Sequence, residues 1–203
     1  MSDNAKMPLR IVVDSREQCP FRFEGYPVEV ETGALASADY SLHGFTDRIG
    51  IERKSLPDLV ACLGVERERF ARELARLRGY DCAAVVVEAT ADDLRAGHFR
   101  ARLNPEAAWQ SVLAFTQRYR IPFIFCDDRS DAERTAFDIL RHYQHDRMRE
   151  LQALRIPARI APERQTAQGP GIGMDRAANA PERRQRAASG PPSRAPAATG
   201  AGL

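Results

Sequence analysis

Between Ile11 and Cys126 the chain alternates short strand-forming runs with segments that repeat on a helical period, and this alternation restricts its fold more than any other feature. Ile11-Val12-Val13 is a β-branched run and Val28 to Val30 opens a second. Asp39 to His43 and Ile49 to Lys54 follow as short extended segments set off by Gly44 and Gly50. These predict a strand followed by a hairpin-rich meander. Ala83 to Glu88 and Ile121 to Cys126 read as further buried strands. Ser55-Leu56-Pro57-Asp58 has the form of a helix start, with Ser55 as N-cap, Pro57 in the first turn and Asp58 completing a capping box. From Glu66 to Arg78, Phe70, Leu74 and Leu77 fall on one helical face, and Arg69, Arg72 and Arg76 on a face pointing largely the other way. Asn104-Pro105 opens a helix with Trp109, Val112, Leu113 and Phe115, and Ser130 is expected to cap a last helix to about Arg149. This order predicts an α/β layer structure with a mixed sheet flanked by helices.

The alternation stops near residue 150. From Arg155 to Leu203 there is no aromatic residue, Ala, Arg, Pro and Gly dominate, and eight arginines face only Glu163, Asp175 and Glu182. Such a segment cannot bury enough apolar surface to fold, so the expected organisation is a flexible N-terminus (1–7), one domain (8–150) and a disordered tail (151–203). Gly169-Pro170-Gly171-Ile172-Gly173 has a faint likeness to the hairpin of a helix-hairpin-helix unit but lacks two apolar flanking helices. No apolar run approaches the roughly 18 residues of a membrane span, and the first residues lack a basic start followed by an apolar stretch. The expectation is a soluble protein of the cytoplasm, at the nucleoid in a bacterial cell, with no membrane partner. Cys19, Cys62, Cys82 and Cys126 form no close pair, which argues against a disulfide framework or zinc knuckle and for buried thiols.

A net charge of +2 does not announce a polyanion partner, so any nucleic-acid reading rests on local arrangement. Thirty basic residues include only two lysines, Lys6 and Lys54. Lys6 lies near the N-terminus; Lys54 ends the segment Ile49-Gly50-Ile51-Glu52-Arg53-Lys54. Strand period sends Ile49, Ile51 and Arg53 to one side and Glu52 and Lys54 to the other. A hairpin with the preceding segment brings Asp39 beside Glu52. Two carboxylates so close repel unless a divalent cation neutralises them, and Mg²⁺ suits a couple of carboxylates completed by water and phosphate oxygens. Lys54 beside such an ion would orient or deprotonate a water, or stabilise charge growing on a phosphate, work for which arginine is poorly suited. Plainer readings stand beside these. Glu52 and Lys54 also fit a solvated cross-strand ladder, Asp58 a helix cap, Asp14, Arg16 and Glu17 the start of a turn, and His142 and His145 a solvated helix surface.

Taken together the motifs are similar to those of a known family. Val13-Asp14-Ser15-Arg16-Glu17, Ala38-Asp39-Tyr40, Ile51-Glu52-Arg53-Lys54-Ser55 through Asp58-Leu59, and Arg69-Phe70 resemble successive signatures of the XPF nuclease domain, in the restriction-endonuclease-like superfamily. The likeness extends through Val85-Val86-Val87-Glu88, the Asn104-Pro105 helix and Ile121 to Phe125, covering roughly residues 8 to 148. It implies a restriction-endonuclease-like mixed central sheet, and hydrolysis of one DNA strand near a branch or a duplex/single-strand junction with Mg²⁺ or Mn²⁺. By position, Asp39, Glu52 and the main-chain carbonyl of Arg53 would hold the metal with support from Asp14, and Lys54 would act on the water. Arg16 and Glu17 match a pair needed for cleavage, Asp58 closes the motif, and Arg69 would bind phosphate, with Arg72 and Arg76 beside it on the same basic helix.

The sequence departs from the family at Ala38 and Glu68, where glycine is usual, and neither a helicase nor a tandem helix-hairpin-helix domain is expected in it. The leading reading is an active metal-dependent endonuclease of DNA repair or recombination. Alternatives are a non-catalytic DNA-binding or scaffolding subunit of a nuclease heterodimer, or a related resolvase whose arginine-rich tail gives loose DNA affinity. Family likeness, and the large apolar residues around Trp109 and Phe137, point to a homodimer or a pairing with an inactive subunit.

Overall fold

The computed structural model describes residues 8–155. The expected flexible N-terminus, nearly all of the tail and the Gly169–Gly173 segment lie outside the described residues. In chain order the elements are β1 (Leu9–Asp14), β2 (Val28–Gly33), β3 (Tyr40–Leu42), β4 (Ile49–Lys54), α1 (Leu56–Leu63), α2 (Arg67–Leu77), β5 (Cys82–Val87), α3 (Ala91–Ala96), α4 (Pro105–Tyr119), β6 (Phe123–Phe125) and α5 (Arg129–Arg155). Among the described residues the strands form one six-stranded mixed sheet in the order β2-β1-β3-β4-β5-β6. This is the expected α/β class.

The meander is less hairpin-rich than its sequence suggests. β3 and β4 do form an antiparallel pair, with Tyr40 opposite Ile51. β2, however, pairs parallel to β1 at the sheet edge, while β1 runs antiparallel to β3 on its other side. Parallel neighbours need a crossover of about a dozen residues or more, usually a helix. Here an irregular segment performs it, anchored by Phe21 and Phe23, which are buried against Tyr40 with ring centroids 5.0 and 5.8 Å away.

Two apolar layers cover the sheet. One combines Ile11, Val13, Tyr40, Ile49, Ile51 and Val86 with Phe21, Phe23 and the α5 residues Ala136, Phe137, Leu140 and Tyr143. The other joins Val85 and Val87 to Leu59, Val60 and Leu63 of α1, Phe70, Leu74 and Leu77 of α2, Leu94 of α3, and Val112 and Phe115 of α4. The large apolar groups expected at a partner surface therefore mostly fill the core. Trp109 is partly buried with the Arg95 guanidinium 3.8 Å from its ring, and Leu113 remains exposed.

Local signals are realised with some shifts. Ser55 caps α1, its Oγ accepting from Asp58 N and donating to Asp58 Oδ2 at 2.6 Å, and Asn104 caps α4. The start of α5 is held by Asp128 instead of Ser130: Asp128 Oδ1 accepts from Asp131 N at 2.9 Å, and Asp131 Oδ2 accepts from Asp127 N. α5 also continues past Arg149 to Arg155, so the first residues assigned to the tail are helical. Arg147 to Arg155 holds good helix formers and neither Gly nor Pro, so nothing stops the helix there. Helix α3 is an addition, built from the Thr90/Asp93 capping box and closed by Gly97 at φ 74°. Cys62 and Cys126 are buried as expected, Cys82 is half-buried, and Cys19 is exposed.

Candidate active site

β4 is paired on both edges, by β3 and by β5, so the two sides of its backbone face the two layers. Gly50, Glu52 and Lys54 point toward α1 and α2. A Cβ on Gly50 would meet Leu77 Cδ2 at 3.0 Å, and Lys54 Nζ lies 5.7 Å from the Phe70 ring centroid. Glu52 is 2 % exposed, and its Oε1 accepts from Lys54 Nζ. Glu52 Oε2 is buried with no hydrogen-bond partner. The register that sets Tyr40 against Ile51 places Asp39 opposite Glu52. Asp39 N donates to Ile51 O at 3.0 Å, and Asp39 Oδ2 accepts from Arg53 N at 2.8 Å.

Burial is the main force on these groups. It pushes the proton affinity of Asp39 up, against the pull of Lys54 and the Arg53 N–H. Glu52 is raised first by burial and then by the Asp39 charge. Burial disfavours the Lys54 ammonium, but Glu52 and Asp39 outweigh it and hold the proton more tightly than usual. A buried carboxylate, Glu52, and a half-buried one, Asp39, thus share one ammonium and remain under-compensated.

That arrangement fits a divalent cation. An orphaned carboxylate oxygen beside a second carboxylate is a hard oxygen donor set, and Mg²⁺ needs only one or two such groups with water and phosphate completing its shell. Among the described residues no group of three or more His, Cys, Asp or Glu side chains is close enough to enclose an ion, so the donor set remains this pair with the Arg53 carbonyl nearby.

One cleft brings together Arg16, Glu17, Asp39, Arg53, Lys54, Asp58 and Arg69. Asp14 is 3 % exposed, and its oxygens accept from Arg16 N at 2.7 Å, Arg16 Nε at 2.8 Å, the Arg16 guanidinium at 2.7 Å and Leu35 N at 3.0 Å. The Arg16 guanidinium holds the Asp14 carboxyl down at about 2. Asp14 is therefore spent on fixing Arg16, which also donates to Leu35 O and keeps most of its side chain exposed at the cleft. Asp58 serves the α1 cap. Arg69 pairs with Glu66 at the rim, Arg72 is exposed, and Arg76 Nε donates to Ser37 Oγ at 3.0 Å. His142 and His145 lie on the exposed surface of α5, outside this cleft.

Residues 13–137 match the ERCC4 domain. The chain belongs to the ERCC4 domain family. Among solved structures, XPF from Aeropyrum pernix has a similar fold, with TM-score 0.55, 22 % sequence identity, and coverage of 70 % of this chain and 70 % of that one. A second structure, XPF from Aeropyrum pernix in complex with DNA, matches with TM-score 0.54 and 22 % identity over 68 % of this chain and 66 % of that one. No curated protein matches the sequence. The XPF-type resemblance read from the motifs thus holds for family and fold.

Within this ERCC4 domain the side chain of Arg53 points away from Glu52, into a network the motif reading did not foresee. It forms a double contact with Glu88, at 2.8 and 3.1 Å, and meets Glu17 at 3.4 Å. Arg129 donates to Glu88 at 2.6 Å and to the carbonyls of Cys19 and Pro20 at 2.8 and 2.9 Å. This chain of charges ties the Asp14–Glu17 turn to β4, β5 and the start of α5. Its sequence signal was a lone acid, Glu88, just beyond a buried strand. The two departures from the family pattern also find their places. Ala38 sits at φ 72°, a left-handed conformation in which glycine is unstrained, and Glu68 is exposed on α2.

Proposed function

We propose that this ERCC4 domain is a metal-dependent endonuclease that hydrolyses phosphodiester bonds in branched or junction-containing DNA during repair or recombination. The observation that carries the reading is the Asp39/Glu52 pair, Asp39 half-buried at the cleft and Glu52 buried with its Oε2 lacking any partner, while Lys54 stands beside it. Asp39, Glu52 and the Arg53 carbonyl would hold Mg²⁺ or Mn²⁺. When bound, such an ion supplies Lewis-acid polarisation of the phosphate and lowers the pKa of a water.

The chain's own residues account for the rest. Lys54 is held as an ammonium by Glu52 and Asp39, so it acts as a charged hydrogen-bond donor, orienting the attacking water or stabilising negative charge on the scissile phosphate. Arg16, fixed by Asp14, presents its exposed edge to a backbone phosphate. Glu17 supports it indirectly, accepting from Cys19 N at 2.7 Å and meeting Arg53, which holds the turn in place. Arg69 at the rim, with Arg72 further along α2, extends the phosphate track, and the DNA-bound structure of XPF from Aeropyrum pernix is in keeping with it. Action as a homodimer or beside an inactive subunit belongs to the same proposal, with exposed Leu113 on α4 and Leu151 and Leu154 on α5 as the apolar groups available for it.

The test is incubation of the purified full chain, with Mg²⁺ or Mn²⁺, with flap, fork, splayed-arm, bubble, nicked and linear single-stranded DNAs. Metal-dependent cuts near the junctions of branched substrates are expected. Absence of cleavage on every substrate with either ion would overturn the proposal.

A further inference from the structure

Helix α2 carries a carboxylate that the motifs do not include. Glu73 stands one turn after Arg69, which lines the cleft, and one turn before Arg76, which bonds Ser37. Positions three and four apart share a helical face, so Glu73 lies between the cleft rim and the Ser37-Ala38-Asp39 turn. The same side of the sheet receives Glu52 and Lys54, with Lys54 against Phe70, three residues before Glu73.

Glu73 has no hydrogen bond or ion pair among the described residues. Two guanidiniums that feel its charge are committed elsewhere, Arg16 to Asp14 and Arg69 to Glu66. Its charge is also felt at both Asp39 and Glu52, adding to the effect of burial there. Glu73 is thus a half-buried carboxylate whose charge bears on two others, one of which has a buried unpartnered oxygen, with no positive group bonded to it. It is not close enough to join the pair in direct coordination. Mg²⁺ and Mn²⁺ keep waters when bound by few carboxylates, and a carboxylate just beyond the ligands can accept from those waters.

We infer that Glu73 is a positioning residue for the divalent cation of the Asp39–Glu52 site, holding the water shell of the ion from the α2 side. The inference rests on the metal-site reading above. Mn²⁺ binding to the full chain, followed without DNA by the electron paramagnetic resonance of free Mn²⁺, separates the two. Glu73→Gln should weaken Mn²⁺ binding about tenfold, within the range for partners just beyond a metal's ligands. The metal-free melting temperature should hold or rise, and Glu68→Gln, which removes the same charge from an exposed site on α2, should bind Mn²⁺ like the wild type. If Asp39→Asn loses Mn²⁺ while Glu73→Gln binds like the wild type, the role of Glu73 falls and the metal site stands. Equal weakening by Glu68→Gln and Glu73→Gln would reduce the effect to overall charge and also overturn the inference. A wild-type chain that takes up no Mn²⁺ would overturn both readings.

Discussion

Gly50 of β4 faces Ala38 so closely that a Cβ on the glycine would stand 2.9 Å from the Ala38 Cβ and 3.0 Å from Leu77 Cδ2. Ala38 is itself at φ 72°, and the next residue, Asp39, is opposite Glu52. The left-handed turn and the glycine thus form one device that seats the first carboxylate against the second while α2 packs over both.

The first prediction follows from that contact. Gly50→Ala should destabilise the domain by about 1–3 kcal/mol, the usual range for overpacking. Adding Ala38→Gly removes both the opposing methyl and the left-handed strain, so the double variant should recover part of the loss. Urea denaturation of the four proteins gives the coupling, expected to exceed about 0.5 kcal/mol. Additive effects would show that the two positions do not share the space.

Asp14 carries the second. Its folded pKa is depressed to about 2 by the Arg16 guanidinium, so its contribution to stability is fully present above the ordinary carboxylate value and is lost as pH falls from about 4 toward 2. The side chain is almost fully buried, and the contribution is on the order of 2 kcal/mol. Asp14→Asn should lower stability at pH 7 and narrow its gap from the wild type near pH 2. A gap that stays constant across this acid range would refute the assignment.

The sequence displayed helix α1, the apolar stripe of α2, the N-cap of α4 and the opposition of Asp39 to Glu52, because each rests on local capping or on the two-residue period of a strand. The parallel pairing of β2 was hidden, since the crossover that permits it is an irregular segment held by Phe21 and Phe23 instead of a helix with a readable period. The commitment of Asp14 to Arg16 was equally invisible. A motif says that an acid and an arginine are neighbours, and only the fold shows that this acid spends its oxygens on Arg16 and Leu35. Glu73 and the Arg53–Glu88–Arg129 network depend on contacts between distant elements, which no spacing rule encodes.

The third prediction concerns metal-free protein between pH 5 and 8. Raised folded pKa values at Asp39 and Glu52 mean that the folded state holds protons the unfolded chain has released. Stability should therefore fall as pH rises above the ordinary carboxylate value of about 4, until the pair has lost its protons. Asp39→Asn leaves an acceptor for Arg53 N and removes one half-buried charge, so it should flatten this fall and stabilise the metal-free domain most at pH 8. Melting curves of the two proteins across the interval decide the point. A slope unchanged by the substitution would mean that the two carboxylates do not strain the fold.

The last prediction concerns Lys54, retained in a chain whose other basic residues are, apart from Lys6, all arginine. Its ammonium is confined between Glu52 and the Phe70 ring with 13 % of its side chain exposed, a space that suits a compact charge on a flexible stem and not a planar guanidinium. Lys54→Ala and Glu52→Gln should each lower the cleavage rate by roughly 10²-fold to 10⁴-fold while the far-ultraviolet circular dichroism stays native. Lys54→Ala leaves Glu52 buried without its ammonium, so some loss of melting temperature is expected there, and rates must be compared well below the transition. Lys54→Arg separates charge from shape, because it keeps the positive charge and should still cleave poorly. Arginine turning over nearly as fast as lysine would mean that charge alone suffices, and that the retained lysine has no chemical reason.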